Sequence, residues 1–230
     1  MDLASARVCS ALAAKGVDEI HHANSVITSC QFLRRGSLLS RGTIQRQSLY
    51  QSAQSSDRTD KKFGLWFDVF TDSVDIHARA RRANVYGPVL FVLDAAIIAK
   101  AYTGRIWVTK KNPVKWGADT PADRWFQTVE DLEANLVRGR FDQMIVFRHC
   151  GGELPFKEYL REIILDDPSL ESPNAKIDYF SMAYGALKLA MTEGAIDVPI
   201  KRRRCADNCA CGRDYSSNLA RSRSMFVPTI

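Results

Sequence analysis

The chain has 230 residues, of which 46% are hydrophobic, with a formal net charge of +6 and six cysteines. That length supports one compact domain with a core, or one domain with a small appendage, and one domain is expected. No uncharged apolar run reaches the roughly 18 residues of a membrane helix, the opening "MDLASARVCSALAAKG" lacks the basic start and long apolar core of a signal peptide, and the cysteines are too sparse for a disulfide scaffold. A soluble, cytoplasmic protein with no membrane partner is expected.

Residues 1–15 read as a helix stopped by Gly16. "VDEIHHA" reads as a short strand, and "SVITSCQFLRRG" as a helix with Ser25 as N-cap, apolar Val26, Ile27, Cys30 and Leu33 at helical spacing, and Gly36 as stop. The stretch from Gly42 to Lys62 is polar, rich in Ser and Gln and weakly periodic, so it is expected to be a long loop, functional or mobile. "FGLWFDVFTDSVDIHARARR" fits neither period, and a helix-then-strand reading and a loop reading both stand. "YGPVLFVLD" is the clearest strand: Pro88 fixes its start, and its nearly continuous apolar run demands a central position. "RIWVTKKNP" is a strand ended by Asn112-Pro113.

"TPADRWFQTVEDLEANLVRG" reads as one helix, with Thr120 and Pro121 opening it and Gly139 after its end. "FDQMIVFRH" is a strand, "CGGELP" a turn, "FKEYL" a helical turn, "REIILDDP" a strand and "SPNAKIDYFSMAYGALKLAMTEG" a long helix. Consecutive strands in the C-terminal half favour an α+β domain over a doubly wound sheet. The domain is expected to span 1–200, with a basic, cysteine-containing tail over 201–230.

Within 201–230 seven Lys or Arg stand against Asp207 and Asp214. A second basic stretch holds Arg34, Arg35, Arg41, Arg46, Arg58, Lys61 and Lys62. Such clustering favours polyanion contact, because each neutralised phosphate releases counterions; the bland alternative is a solvated tail. Phosphate-binding glycine loops, a nucleophile elbow and paired metal-helix histidines are all absent. Cys205, Cys209 and Cys211 offer three thiolates, with His149 or Cys150 as a conceivable fourth ligand. One such run without a partner pair is a weak zinc signal, so free cysteines are preferred and no metal is assigned.

His21 and His22 end the first strand. Neighbouring strand residues face opposite sides, so one can enter a cleft while the other packs, and Asn24 shares the face of His22. A histidine beside an amide makes a hydrogen-bonding rung suited to a ribose or amide ligand. "IHHANS", a helix and "GSLLSRG" together resemble the opening of the ADP-ribosyltransferase superfamily, most closely the DarT-like bacterial toxins that modify nucleic acids. The resemblance, spanning about residues 17–166, implies a split β-sheet core with flanking helices. It implies that NAD is consumed as a substrate, with His22, Asn24 and Tyr86 at its ribose and nicotinamide end and Arg41 on the diphosphate or the reacting centre. It also implies a role in toxin–antitoxin or antiphage defence, with an antitoxin protein as partner.

"FDQMIVFRH" resembles the strand whose entrance carries the family's catalytic glutamate, but Gln143 stands there, with Asp142 beside it. Glutamine keeps the shape and loses the charge that stabilises an oxocarbenium-like ribose and serves as base. An inactivating substitution is the favoured explanation, ahead of Asp142 as substitute or a protein that only binds. By the same resemblance the segment before Gln143 would recognise the acceptor, making Trp125, Phe126 and Arg140 candidate nucleic-acid contacts, with Trp125 and Phe126 as core the alternative. The loop at 43–62 would cover the NAD site, and Arg202 and Arg203 of the "KRRR" run would supply a second basic surface. The reading is ADP-ribose transfer from NAD to DNA or RNA. Its rivals are a non-catalytic nucleic-acid-binding module with a zinc-binding tail, and a metal-dependent nuclease using Asp68, Asp72, Asp75 and His77.

Overall fold

The first elements follow the sequence closely. After β1 (Leu3–Ala4), α1 (Ser5–Ala14) buries Val8, Ala11 and Leu12 on one face, and Gly16 turns the chain at φ 71°. Next come β2 (Glu19–Asn24) and α2 (Val26–Arg35), which ends at Gly36 in the left-handed region, φ 63°, where a side chain would be strained. These observations come from a computed structural model, which describes residues 3–52, 54, 56–79, 85–100, 105–171, 178–205 and 209–228.

The stretch expected as one long loop carries two short helices. β3 (Ser37–Leu39) leads to Ser40, whose hydroxyl accepts a hydrogen bond from the Thr43 amide and caps α3 (Arg41–Arg46); α4 (Asp57–Lys62) follows. Six-residue helices are too short for an apolar period to show. Tertiary pairing holds them, with Arg41 bidentate on Asp57 at 2.9 and 2.6 Å. The next stretch is a strand and then a helical turn, the reverse of the order considered: β4 (Val69–Thr71), then α5 (Ile76–Arg79).

β5 (Val89–Asp94) is central, paired antiparallel with β2 on one side and with β9 on the other. After it come α6 (Ile97–Lys100) and β6 (Arg105–Val108). The single helix expected over 120–139 is broken into α7 (Pro121–Arg124) and α8 (Val129–Asn135). Between them Trp125 bridges to Thr109, and the Phe126 amide donates to the Val108 carbonyl at 3.0 Å. Sheet pairing thus overrides helix propensity there.

β7 (Ile145–Phe147), β8 (Glu153–Pro155) and β9 (Leu160–Asp167) occupy the expected strand region, except that the turn at "CGGELP" gives way to β8, paired with β3. α9 (Tyr179–Glu193) is the expected long helix; the part of it expected at 172–177 lies outside the described residues. β10 (Ile200–Arg204), α10 (Ala210–Ser217) and α11 (Leu219–Phe226) then complete the chain.

The strands form two four-stranded sheets, β1–β6–β7–β4 and β10–β9–β5–β2, plus the β3–β8 pair. The larger sheets meet where His21 and Asp72 exchange backbone hydrogen bonds, each 2.9 Å. The architecture is mixed α+β. Among the described residues no helix is long and apolar enough to cross a membrane.

The basic C-terminal segment is not a solvated tail. β10 adds to the sheet parallel to β9, which sets "KRRR" beside the acids of "REIILDD". Arg203 pairs with Asp166 and Asp75, Arg202 with Asp167, and Lys201 with Glu162. Beyond it, Cys211, Tyr215, Met225 and Phe226 are buried in the main core. The charge run is neutralised by acids from distant parts of the chain, a pairing no local pattern announces.

Candidate functional site

One cleft, of about 950 Å³ counting the part open to solvent, lies where the C-terminal end of β2, the β3–α3 junction, α4 and β4 converge. His22, Asn24, Arg41 and Tyr86, drawn from four separate stretches of the sequence, all line it.

The His22 ring is fixed. Its Nδ1 lies 2.8 Å from the Phe70 carbonyl, and a carbonyl only accepts, so Nδ1 carries the proton. Burial pushes the imidazole pKa down, which keeps the ring neutral. Nε2 therefore presents a lone pair, and it is shielded from solvent with no partner among the described residues. A buried unsatisfied acceptor is costly unless a ligand donates to it. His21, on the opposite face, is buried, so the pair divides as the strand alternation required. Asn24 is oriented by its own side-chain oxygen, which accepts from the Ser25 amide at 2.9 Å.

Gly87 makes this edge possible. At φ 136° its absent Cβ would lie 2.2–2.4 Å from the Asn24 carbonyl and the Ser25 amide, so the chain entering β5 passes against the end of β2 only as glycine. Tyr86 precedes it at the cleft wall. Gly152 does similar work on the other side: its carbonyl accepts from the Ser40 amide, and a Cβ there would meet Thr43 and Ser40 hydroxyls at 2.2 and 2.6 Å.

Arg41 is held ready at the cleft and is not bare. Besides Asp57, it donates from Nη1 to the Ser52 carbonyl at 2.8 Å, and its guanidinium lies 5.8 Å from the Trp66 ring centre. Any anion arriving there would compete with Asp57 for a charge already neutralised.

Three acids line the cleft, Asp60, Asp68 and Asp72, and none of them was read from the sequence as an NAD-site residue. Asp60 and Asp68 are buried, and burial pushes both carboxyls up to about 6, against the pull of the Ser56 hydroxyl and Arg41 on Asp60 and of Arg148, 2.8 Å from Asp68. Raised carboxyls in a cleft are candidate proton carriers. The signal available was the run of acids between aromatics, which offered no way to tell cleft from surface.

Gln143 does not line the cleft. Its side-chain oxygen accepts from the Val137 amide at 2.7 Å and its nitrogen donates to the Asn135 carbonyl at 3.0 Å, stapling the end of α8. Both halves of the amide are used, so glutamine is the fitting residue and a glutamate would oppose the Asn135 carbonyl. Asp142 pairs with Lys115 at 2.7 Å and accepts from the Asn112 amide at 3.1 Å.

Trp125 and Phe126 are core, not base-stacking surface: Trp125 packs edge-on against Trp107 and Trp116 with ring centres 5.1 Å apart. Arg203 is an internal ion held by Asp166, while Arg202 is half-exposed but doubly bonded to Asp167. Arg140 is exposed and away from the cleft lining. Of the nuclease set, Asp68 and Asp72 line the cleft, but Asp75 pairs with Arg203 and His77 with Asp166, so the four do not form one site.

Beside Arg41 lies a basic and aromatic rim. Lys61 sits 4.3 Å over the Trp66 ring and Arg46 5.4 Å over exposed Phe67. Cations interleaved with rings suit a single-stranded polyanion with exposed bases.

The sequence matches no known family model, and a search of curated proteins finds no significant relative.

Proposed function

We propose that the protein is an NAD-dependent ADP-ribosyltransferase that transfers ADP-ribose to a nucleic acid and releases nicotinamide, acting as a toxin of a toxin–antitoxin or antiphage system. The observation that carries the reading is the meeting of His22, Asn24, Arg41 and Tyr86 in one cleft. The neutral His22 Nε2 is an acceptor suited to a ribose hydroxyl, and Asn24 and Tyr86 flank the place of the nicotinamide ring. Arg41, shared with Asp57, suits the diphosphate. With Gln143 committed to backbone, the carboxylate that steadies positive charge on the ribose must come from the cleft, where Asp60 and Asp68 stand. The Lys61, Trp66 and Phe67 rim supports a nucleic-acid acceptor over a small molecule.

A second reading, a nucleic-acid-binding module without turnover, is favoured by one observation: among the described residues no glutamate lines the cleft. Incubation with NAD labelled in the adenylate, in the presence of DNA, RNA and protein, separates the two. Transfer predicts label in a nucleic-acid fraction, lost in His22→Ala; binding alone predicts retention of nucleic acid with no label and no nicotinamide.

A further inference from the structure

Beside Asp166, α5 and the start of α10 bring together chemistry that the proposed activity does not use. The ligand atoms of His77, Cys209 and Cys211 all lie within 4.8 Å of one another. The His77 Nδ1 to Cys211 Sγ distance is 3.8 Å. A tetrahedral zinc with arms of about 2.1 Å to nitrogen and 2.3 Å to sulfur sets such a pair about 3.6 Å apart, so the separation is that of two ligands of one ion. The Cys205 thiol comes from the end of β10, and it hydrogen-bonds Cys209 and lies 4.0 Å from the Cβ position of Gly212.

A second observation, independent of the thiols, concerns the imidazole. His77 Nε2 faces the Asp166 carboxylate at 3.1 Å, and that carboxylate is fully buried. Asp166 is itself held by the Tyr215 hydroxyl at 3.0 Å and by Arg203 Nε at 2.7 Å. A carboxylate on the ring nitrogen away from the ion is how metal-ligating histidines are oriented. It turns Nδ1 toward the Cys209 and Cys211 sulfurs, with Cys205 reached through Cys209.

We propose that His77, Cys205, Cys209 and Cys211 bind one zinc ion in a closed, four-coordinate structural site. The sequence offered three of these ligands but pointed to His149 or Cys150 for the fourth. His149 lies instead beside Arg46 and Phe67 in a separate hollow, and Cys150 donates to the Phe147 carbonyl. The ligand of the right geometry is 128 positions before Cys205, on α5. The ion would tie the C-terminal helices to α5, whose Ile76 lines the cleft, so it steadies the cleft wall without touching a ligand in it.

The test is the metal content of the full chain purified under reducing conditions, with the spectrum of the cobalt-loaded chain as a measurement that needs no variant. Expected are about one zinc per chain, a thiolate-to-cobalt charge-transfer band, and a fall in melting temperature on chelation. Cys209→Ser and Cys211→Ser should each lower zinc content at least about tenfold, and Cys205→Ser should lower it as well. Zinc below about a tenth per chain with no cobalt–thiolate band, or a Cys205–Cys209 disulfide in the reduced preparation, would overturn the site. Full zinc content in Cys205→Ser would overturn the four-ligand set.

Discussion

The cleft and the C-terminal cluster both bury ionisable groups, yet they treat them in opposite ways. Around Asp166 every charge finds a partner: Arg203, His77 and Tyr215 converge on one buried carboxylate. In the cleft, His22 Nε2 has no partner among the described residues, and burial outweighs the Ser56 hydroxyl at Asp60 and Arg148 at Asp68, so both carboxyls are pushed up to about 6. The cluster around Asp166 ties distant parts of the chain together, whereas the cleft keeps one buried acceptor open beside its ion pairs. Net charge alone distinguishes neither, because the conspicuous "KRRR" run belongs to the compensated region.

The contrast is broken most severely at Asp166. Asp166→Ala strips Arg203 and Tyr215 of their buried partner and should cost about 3–5 kcal/mol, read from urea unfolding; a loss under about 1 kcal/mol would mean that the cluster is not load-sharing. Next is Gly87→Ala, which forces a Cβ against Asn24 at φ 136°. It should destabilise by about 2–3 kcal/mol and weaken any cleft ligand, because the β2 end must move.

Gln143→Glu separates the staple from the catalytic reading. It removes the donor to the Asn135 carbonyl in a buried place and should destabilise by about 1–3 kcal/mol without raising NAD turnover. A gain in turnover would return Gln143 to the reacting centre.

For Asp60 the sign follows from burial. Its folded pKa is raised to about 6 from 3.8, so its contribution is full below about pH 4 and is lost as pH rises through about 6. Asp60→Asn should therefore flatten stability between those values and be more stable than the parent at pH 7, by about 2 kcal/mol. Equal slopes in the two proteins would show that the carboxyl is not buried. The smallest effect belongs to the rim. Lys61→Ala should leave stability within about 0.5 kcal/mol and lower the salt dependence of nucleic-acid binding by about one counterion.

Where residues declare their own geometry, the sequence was readable. Ser25 and Gly36 bracket α2, Pro88 and an apolar run place β5 at the centre of its sheet, and the alternation of His21 and His22 puts one of them in the cleft. Where distant pairing decides, it was not. α3 and α4 depend on Ser40 and on Arg41 reaching Asp57; Trp125 and Phe126 leave a helical pattern to meet β6; and β10 finds its acids on β9. The place of Gln143 before "MIVF" matched a family pattern but carried no sign that its side chain bonds the Val137 amide and the Asn135 carbonyl.

The cleft's open acceptor is the centre of the account, and calorimetric titration of NAD into the intact protein and into His22→Ala tests it most directly. The parent should bind saturably at one site, and the variant at least tenfold more weakly. Equal affinity in both, or no binding to the parent, would contradict it.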